Sequence, residues 1–232
     1  MAHSPVTRTA LITGASRGLG LAPARKLAQQ RWNLIIDARG AKALEAARAE
    51  LSQWTTVTAI SGDVTDAGHR RALAEEVRTS GGLNALVNNA STLGLSPQPS
   101  LLEYPLDILE QVYRTNVLAP LAIIQAVKHQ LQAGACILNI TSDAGIVAYP
   151  GWGGYGSSKA ALAQLSHILA SEQEALRIYW VDPGDMRTQM HQEAFPGEDI
   201  NDRPFPEESV PGMLALITGT YPSGRYSART LK

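Results

Sequence analysis

The sequence predicts an α/β protein in which helices cover both faces of a doubly wound parallel β-sheet. Short apolar runs rich in β-branched residues alternate along the chain with longer segments whose apolar residues return every three or four positions. The short runs are apolar almost throughout, as is typical of parallel strands that are covered on both faces. Alternation of strand and helix favours right-handed crossovers between parallel strands.

Six strands are predicted in chain order, at 8–13, 33–38, 56–61, 83–88, 135–141 and 176–181. Amphipathic helical patterns, such as those at 41–54 and 67–80, separate them. No repeat or flexible linker interrupts the pattern before residue 183, so we assign residues 1–232 to a single domain. Later prolines loosen the pattern, and we interpret about 185–215 as a mobile lid over the substrate.

Composition and charge exclude several classes of protein. The chain has 232 residues, 44% of them hydrophobic, and a net charge of −1, which gives no bulk attraction to nucleic acid or an anionic membrane. Its single cysteine, Cys136, excludes an intrachain disulfide and is expected to be buried and inert. The first residues lack a signal-peptide pattern, and the most apolar run, 117–124, is too short to cross a bilayer. We expect a cytoplasmic protein.

The glycine-rich stretch "TGASRGLG", at 13–20, directly follows the first strand and opens the first helix. In that position glycines permit a tight turn, close approach of the backbone to a pyrophosphate, and close packing of the helix. Because glycine-rich turns are common, a plain strand-to-helix turn stays open at this point. We expect Pro23 in the first turn of the helix, where proline is tolerated. The candidate cofactor-binding residues of this loop are Gly14, Ser16, Arg17, Gly18, Leu19 and Gly20.

A second motif lies in "ITSDAGIVAYPGWGGYGSSKAAL", at 140–162. Tyr155 and Lys159 stand four residues apart and therefore share one face of a helix. Ser142 lies thirteen residues before the tyrosine, at the end of the fifth strand. By themselves, a tyrosine and a lysine at this spacing more often form a solvated pair on a helix surface than a catalytic pair.

Together these motifs resemble the short-chain dehydrogenase/reductase family. Further stretches match it in order: "GDV" at 62–64, "NNAS" at 88–91, "RTNV" at 114–117 and "DPGDMRT" at 182–188. The resemblance covers about residues 7–190 and implies a Rossmann-type fold and an oxidoreductase. It adds Asn116 to the catalytic candidates. It also adds cofactor-binding candidates after the third, fourth and sixth strands, namely Asp63, Val64, Asn89, Ala90, Pro183, Gly184 and Thr188.

The resemblance also implies roles in reducing a carbonyl group by hydride transfer. Tyr155 would be the general acid for reduction and the base for oxidation. Because a free phenol has a pKa of about 10, Lys159 and the positive nicotinamide would lower that pKa. Lys159 would also hold the nicotinamide ribose, Ser142 the carbonyl oxygen, and Asn116 a water in the proton path. Tyr155 and Lys159 therefore count among the cofactor-binding residues too. Ser91 replaces the family's usual glycine, and we expect the nearby cofactor contacts to survive.

The end of the second strand carries an acid and a base, Asp37 and Arg39. In NAD-preferring members of the family, the ribose-binding acid stands eighteen residues after the last glycine of the loop, which is Ala38 here. Asp37 falls one residue early and should point away from the ribose, since side chains alternate along a strand. Arg39, with Arg17, suits the extra phosphate of NADP. We predict NADP(H) rather than NAD(H) as the cofactor.

Substrate and assembly are predicted more coarsely. We expect an apolar or aromatic carbonyl or alcohol, held near Tyr149, Pro150, Trp152, Met190, His191 and Phe195. For His191 we favour a surface position in a flexible loop. The ending "SGRY", at 223–226, resembles the last strand of the family's short-tailed carbonyl reductases. It leaves a homodimer as the favoured assembly, paired through the apolar helix before His129 and the helix that carries Tyr155.

Three alternatives stay open. The chain could be a catalytically silent NADP-binding regulator, although Ser142, Tyr155 and Lys159 argue against it. It could be an interaction protein on the same fold. A sugar-nucleotide epimerase shares the tyrosine–lysine pair, but about fifty residues after the sixth strand leave little room for its substrate domain. We predict no metal site, since the five histidines (His3, His69, His129, His167 and His191) show no ligand spacing with one another or with Cys136.

Overall fold

The computed structural model describes residues 8–231; residues 1–7, with His3, and Lys232 lie outside the described residues. One sheet of seven strands forms the centre of this part of the chain. Its strands are β1 (Thr9–Ile12), β2 (Asn33–Ala38), β3 (Val57–Ser61), β4 (Leu83–Asn88), β5 (Leu131–Ile140), β6 (Arg177–Asp182) and β7 (Gly224–Ser227).

All six strand pairs are parallel, and the spatial order is β3-β2-β1-β4-β5-β6-β7. The chain winds outward from β1 to β3, then crosses back to β4 and winds in the other direction. The point of reversal lies between β1 and β4. In open parallel sheets, ligands bind outside the carboxyl ends of the strands at such a point. The predicted Rossmann-type fold class is confirmed.

Eight α-helices connect and flank the strands of the described chain. They are α1 (Gly18–Gln29), α2 (Ala41–Leu51), α3 (Ala67–Thr79), α4 (Leu106–Tyr113), α5 (Ala119–Val127), α6 (Gly153–Glu172), α7 (Gln189–Ala194) and α8 (Val210–Thr218). One apolar cluster joins the sheet to α1, α2 and α8, and another joins it to α3 and α5. Burial on both faces explains why the strands read as continuous apolar runs.

Most predicted strand limits fall within one residue of the observed ones, and β5 is the exception. It begins at Leu131, four residues before the predicted start. Leu131 pairs with Leu83 of β4, and the register shifts before the next pair, Ala85 with Cys136. The residues at 132–134 are polar or small and exposed, and Gly134 has a φ of +71°, so an apolar pattern could not reveal this start. The seventh strand, expected from "SGRY", is present as β7.

Pro23 lies inside α1, five residues after the first helical residue, and not in its first turn as we expected. Proline cannot donate the backbone hydrogen bond that a helix needs at that point. The residue is buried against the sheet, in a helix whose other buried residues are mainly Leu and Ala. Packing against the core therefore stabilises a helix that local propensity alone would interrupt.

The segment after β6 is less irregular than its prolines suggest. Thr188 caps α7, with its side chain accepting a hydrogen bond from the backbone N–H of His191. Ser209 lies at the start of α8, and its hydroxyl donates to the Pro183 carbonyl at 2.7 Å. The first contact orders the helix within the proposed lid region, and the second joins that region to the turn directly after β6. Its mobility stays a prediction.

Cys136 is fully buried in β5, and burial raises the pKa of its thiol to about 12. No helix within residues 8–231 is both long enough and apolar enough to span a membrane.

Candidate active site

The glycine-rich loop between β1 and α1 forms a bare backbone cradle. Gly14 and Gly18 have φ values of +65° and +55°, in the region that L side chains avoid. A Cβ at Gly20 would lie 2.4 Å from the carbonyl oxygen of Gly14, so only glycine permits this approach of α1 to the loop. Such a loop at a helix N-terminus fits the pyrophosphate of a dinucleotide, with the backbone N–H groups as donors.

Asn89 ties the end of β4 to this loop. Its side-chain Nδ2 donates to the Thr13 carbonyl at 2.9 Å and to the Gly14 carbonyl at 3.2 Å. The Thr13 hydroxyl in turn accepts from the backbone N–H groups of Asn89 and Ala90, each at 3.0 Å. The two strands on either side of the point of reversal are thereby fixed at their carboxyl ends.

A cleft of about 670 Å³ opens over these strand ends. Its lining brings together sixteen of the residues predicted from sequence, namely Gly14, Ser16, Arg17, Gly18, Leu19, Arg39, Asp63, Val64, Asn89, Ala90, Ser142, Tyr155, Lys159, Pro183, Gly184 and Thr188. Two predicted catalytic or cofactor-binding residues do not line it: Gly20 lies beneath the loop, and Asn116 is buried against Ser158. Of the six residues predicted beside the substrate, three line the cleft (Trp152, Met190 and His191) and three do not (Tyr149, Pro150 and Phe195).

One end of the cleft carries the exposed side chain of Arg39, and the exposed side chain of Arg17, in the glycine-rich loop, lines the cleft as well. Arg17 also hydrogen-bonds Gln189 of α7. Asp63 accepts hydrogen bonds from the N–H and hydroxyl of Thr65 at 2.8 and 2.7 Å. Although burial opposes ionisation of Asp63, these bonds and the Arg39 charge lower its pKa overall. The cleft therefore offers two guanidinium groups to a ligand, and the Asp63 carboxylate lies near the guanidinium of Arg39.

Asp37 also lines the cleft, but it is buried there and both of its carboxylate oxygens are engaged within the protein. It is fully buried, and its Oδ1 accepts the backbone N–H of Gly14 at 2.8 Å. Its Oδ2 lies 2.9 Å from Nε2 of His69, a buried residue of α3. The alternation of side chains along β2 gives this orientation.

The other end of the cleft holds Tyr155 and Lys159, on one face of α6. The Lys159 side chain donates to the Ile140 carbonyl at 2.8 Å, and its Nζ lies 5.4 Å from the centre of the Tyr155 ring. Burial lowers the pKa of Lys159 to about 7. Burial raises the pKa of Tyr155 above its ordinary value, and the charges of Asp182 and Asp143 raise it further.

We expected Lys159 to lower the pKa of Tyr155, and in the protein by itself it does not. The groups that lower this pKa are the nearby hydroxyls of Ser91 and Ser142, which would donate hydrogen bonds to the phenolate on turning away from Asn116 and Asp143. The physical reason is the burial of Lys159. With its pKa near 7, the amine loses its proton before the phenol does and carries no charge when the phenol ionises.

Asn116 is buried at 1% exposure and fully hydrogen-bonded. Its Oδ1 accepts from the N–H of Thr92 at 2.9 Å and from the hydroxyl of Ser91 at 3.1 Å. Its Nδ2 donates to the Thr92 carbonyl at 2.9 Å and to the Ser158 hydroxyl at 3.0 Å. The residue lies in a π-helical turn at Arg114–Leu118, an irregularity frequent at functional sites. Its side chain therefore fixes the loop after β4 against α6.

Asp143 was not singled out from sequence, although it follows Ser142 directly. The Ser142 hydroxyl donates to its Oδ1 at 2.9 Å, and the Tyr149 hydroxyl donates to its Oδ2 at 2.9 Å. Because Asp143 also raises the pKa of Tyr155, it acts on two of the predicted catalytic side chains. Adjacency to Ser142 was the available signal.

Aromatic rings surround the mouth of this end. The Trp152 ring lies edge-on to Tyr155, with centres 5.8 Å apart, and 5.6 Å from Phe195. The His191 ring lies 4.8 Å from Phe195. Leu93, Met190 and Ala194 complete an apolar wall.

His191 is not on the surface, as we expected from sequence. Its side chain is 9% exposed, it lies in α7, and it lines the cleft. Burial lowers its pKa, and its Nε2 accepts from Nε of Arg203 at 3.3 Å. Its spacing of four residues from Phe195, after the capping Thr188, was the available helical signal.

Within residues 8–231, no three His, Cys, Asp or Glu side chains stand close enough together to hold a metal ion.

Comparison with known proteins agrees with this geometry. A family model described as short chain dehydrogenase matches residues 8–199. The chain is 35% identical over 193 residues to a rhamnolipids biosynthesis 3-oxoacyl-(acyl-carrier-protein) reductase of Pseudomonas aeruginosa, covering 79% of this chain and 74% of that protein. It is 30% identical over 221 residues to a benzil reductase ((S)-benzoin forming) of Saccharomyces cerevisiae, covering 91% of this chain and 81% of that protein.

A solved structure of a short chain dehydrogenase from Escherichia coli CFT073, complexed with NADPH, superposes with a TM-score of 0.88. The sequences are 26% identical, and the match covers 96% of each chain. Fold, family model and relatives agree: this chain belongs to the short-chain dehydrogenase/reductase family of oxidoreductases.

Proposed function

We propose that this protein reduces a ketone or aldehyde to an alcohol with NADPH. The observation that carries the proposal is that Tyr155, Ser142 and Lys159 line the same cleft as the glycine cradle. A dinucleotide extended along the cleft would have its phosphates at the loop and its nicotinamide near Tyr155. The predicted acid thus lies beside the reacting end of the cofactor.

The bound cofactor supplies the hydride, and the protein supplies position and proton transfer. Tyr155 gives its phenolic proton to the carbonyl oxygen as the alcohol forms. Its raised pKa keeps the phenol protonated at neutral pH, as reduction requires. The Ser142 hydroxyl orients the carbonyl oxygen. Lys159 then supplies the proton that restores the phenol, because its pKa near 7 lets it gain and lose protons at neutral pH.

Preference for NADPH rests on the exposed guanidinium groups of Arg39, beside Asp63, and of Arg17, in the glycine-rich loop, which both line the cleft. A guanidinium binds phosphate in a planar, multidentate manner. Asp37, the acid that could have favoured NADH, is occupied by Gly14 and His69. The match to a short chain dehydrogenase complexed with NADPH supports the same choice.

For the substrate we propose an uncharged carbonyl compound with an aromatic or apolar group. Trp152, Phe195 and His191 form a ring-lined wall beside Tyr155, and aromatic rings pack favourably edge-on or tilted at such distances. Asp143 and Asp182 place negative charge near Tyr155, which disfavours an anionic substrate there. The relative named for reduction of benzil, an aromatic diketone, supports this choice.

We further propose that the protein is a homodimer. Large apolar side chains are exposed along α4, the turn after it and α6, among them Leu106 at 77%, Leu118 at 56% and Ile168 at 44%. Contact between two copies would cover these side chains, as exposed apolar groups on neighbouring helices favour. A cytoplasmic location stays a prediction of the sequence.

The test is a panel of aldehydes and ketones, aromatic, aliphatic and anionic, assayed with NADPH and NADH by loss of nicotinamide absorbance. We expect turnover with NADPH, fastest for aromatic carbonyls. Binding of NADPH without turnover of any compound would favour the alternative of a catalytically silent NADP-binding regulator. Binding of neither cofactor would remove the oxidoreductase proposal and leave an interaction protein on this fold.

A further inference from the structure

The buried pair Asp37 and His69 has no part in the chemistry proposed above, yet it lies directly beneath the cofactor cradle. The side chains are 1% and 6% exposed. Burying such polar groups costs free energy unless they are well paired, and here they are paired with each other. We propose that Asp37 and His69 form a clamp that holds the adenosine half of the cofactor site in its binding shape.

The clamp joins three separate chain segments. Asp37, at the end of β2, accepts the backbone N–H of Gly14 at 2.8 Å, and its own carbonyl accepts the N–H of Ala15 at 2.9 Å. Its other carboxylate oxygen lies 2.9 Å from His69 Nε2. A carboxylate only accepts hydrogen bonds, so Nε2 carries the proton of this bond. The glycine loop is thereby connected through β2 to α3.

His69 also packs under the turn after β3. A Cβ on Gly62 would lie 2.2 Å from His69 Nδ1, so ring and turn are in close contact. The next residues, Asp63 and Val64, line the adenosine end of the cleft. One histidine ring therefore sets the distance between this turn and the glycine loop.

The clamp also determines which charged groups at the end of β2 are available to a bound ligand. With Asp37 held by Gly14 and His69, the end of β2 presents the Arg39 guanidinium and a carboxylate that is already occupied. These are positioning residues, since neither contacts the reacting atoms. The inference rests on the proposed function only in that it requires a dinucleotide in this cleft.

Two substitutions at His69 separate clamping from packing. His69→Phe keeps a ring of similar size and removes the donor to Asp37. His69→Gln places an amide N–H near the position of Nε2 and restores the donor. Thr58→Val is the matched control, because it removes a different bond between β3 and α3, from the Thr58 hydroxyl to Glu76 at 2.8 Å, away from the cleft.

Dissociation constants for NADPH and NADH are measured by fluorescence and that for adenosine 5′-diphosphate by calorimetry, on folded protein checked by circular dichroism. We expect His69→Phe to weaken all three ligands by about ten-fold or more, the equivalent of at least about 1.4 kcal/mol. His69→Gln and Thr58→Val should stay within about two-fold of the wild type. The kcat at saturating NADPH should be almost unchanged in all of them, because the acid and its neighbours are intact.

If His69→Phe does not fold, the double variant Asp37→Asn/His69→Phe replaces it. Asparagine keeps an acceptor for the Gly14 N–H and leaves no unpaired buried charge. Weakened adenosine 5′-diphosphate binding in this variant supports the clamp.

Two results would overturn the clamp while leaving the proposed function intact: unchanged ligand affinity in the phenylalanine variants, or equal losses in His69→Phe and His69→Gln. A wild-type protein that binds none of the three ligands would overturn the proposed function itself, and the clamp with it.

Discussion

The Ser142 hydroxyl donates a hydrogen bond to Asp143 Oδ1 at 2.9 Å. The hydroxyl that we expect to orient the substrate's carbonyl oxygen therefore already has a partner within the protein. The same Oδ1 accepts the backbone N–H of Ala144 at 2.8 Å, and Tyr149 occupies Oδ2. Asp143 is therefore held in place, and Ser142 must turn away from it to donate to a substrate. The negative charge of Asp143 also raises the pKa of Tyr155.

Asp143→Asn should shift the pH dependence of alcohol oxidation to lower pH. Removing the charge lowers the pKa of Tyr155, so the phenolate that oxidation needs forms at lower pH. The measurement is kcat/KM for alcohol oxidation with NADP⁺ between pH 6 and 10. Asp199→Asn, an exposed charge change, is the control. A profile that does not move would show that Asp143 does not act on Tyr155.

Tyr155→Phe should leave NADPH binding nearly unchanged and lower kcat by about 10²- to 10⁴-fold, the usual contribution of a positioned general acid. Phenylalanine keeps the edge-on contact with Trp152 and removes only the hydroxyl. Steady-state rates with the best carbonyl of the panel, together with NADPH titration, test this. Near-normal turnover would refute Tyr155 as the acid.

Arg39→Asp should weaken NADPH binding by about ten-fold to a hundred-fold and change NADH binding little. The loss corresponds to charge-assisted hydrogen bonds to the 2′-phosphate, worth about 1.5–3 kcal/mol. Parallel fluorescence titrations give both dissociation constants. Arg78→Asp, the same charge reversal on an exposed residue of α3, is the matched control. Equal effects on both cofactors would mean that Arg39 does not contact the phosphate.

Lys159→Met should change how stability depends on pH in the cofactor-free protein. Lys159 has a pKa near 7 when folded against about 10.5 in the unfolded chain, so between these values the unfolded state binds more protons. The wild type should therefore gain stability as the pH rises from about 7 to 10, with this lysine contributing up to about 1.4 kcal/mol per pH unit. Denaturant unfolding at several pH values measures the difference between the proteins. Parallel curves would contradict a neutral, buried Lys159.

Much of the fold and site was readable from local pattern. Six of the seven strands followed from apolar runs, because burial on both faces of the sheet leaves that signal in the sequence. The spacing of Gly14, Gly18 and Gly20 after β1 gave the cradle, since only glycine permits the backbone approach seen there. The pair Tyr155 and Lys159 followed from helix periodicity.

What was missed depends on contacts between distant segments. His191 looked like a surface residue, and α7 places it in the cleft against Phe195. The start of β5 lies outside the apolar run in the sequence, and the pairing of Leu131 with Leu83 of β4 begins the strand there. Lys159 was expected to carry a charge, and the packing of α6 removes enough water to lower its pKa.

The sequence by itself determined the sheet, the order of its motifs and the types of residue at the strand ends, because these depend on periodicity and on residues near one another in the chain. Tertiary structure alone decided which groups are free to act. Asp37, 32 residues away from His69, is occupied by that partner, and Ser142 is engaged by Asp143. Hydrogen-bond partners and burial determine the charge of each group and which ligand atoms it can contact. These partners and this burial arise only when distant segments of the chain pack together.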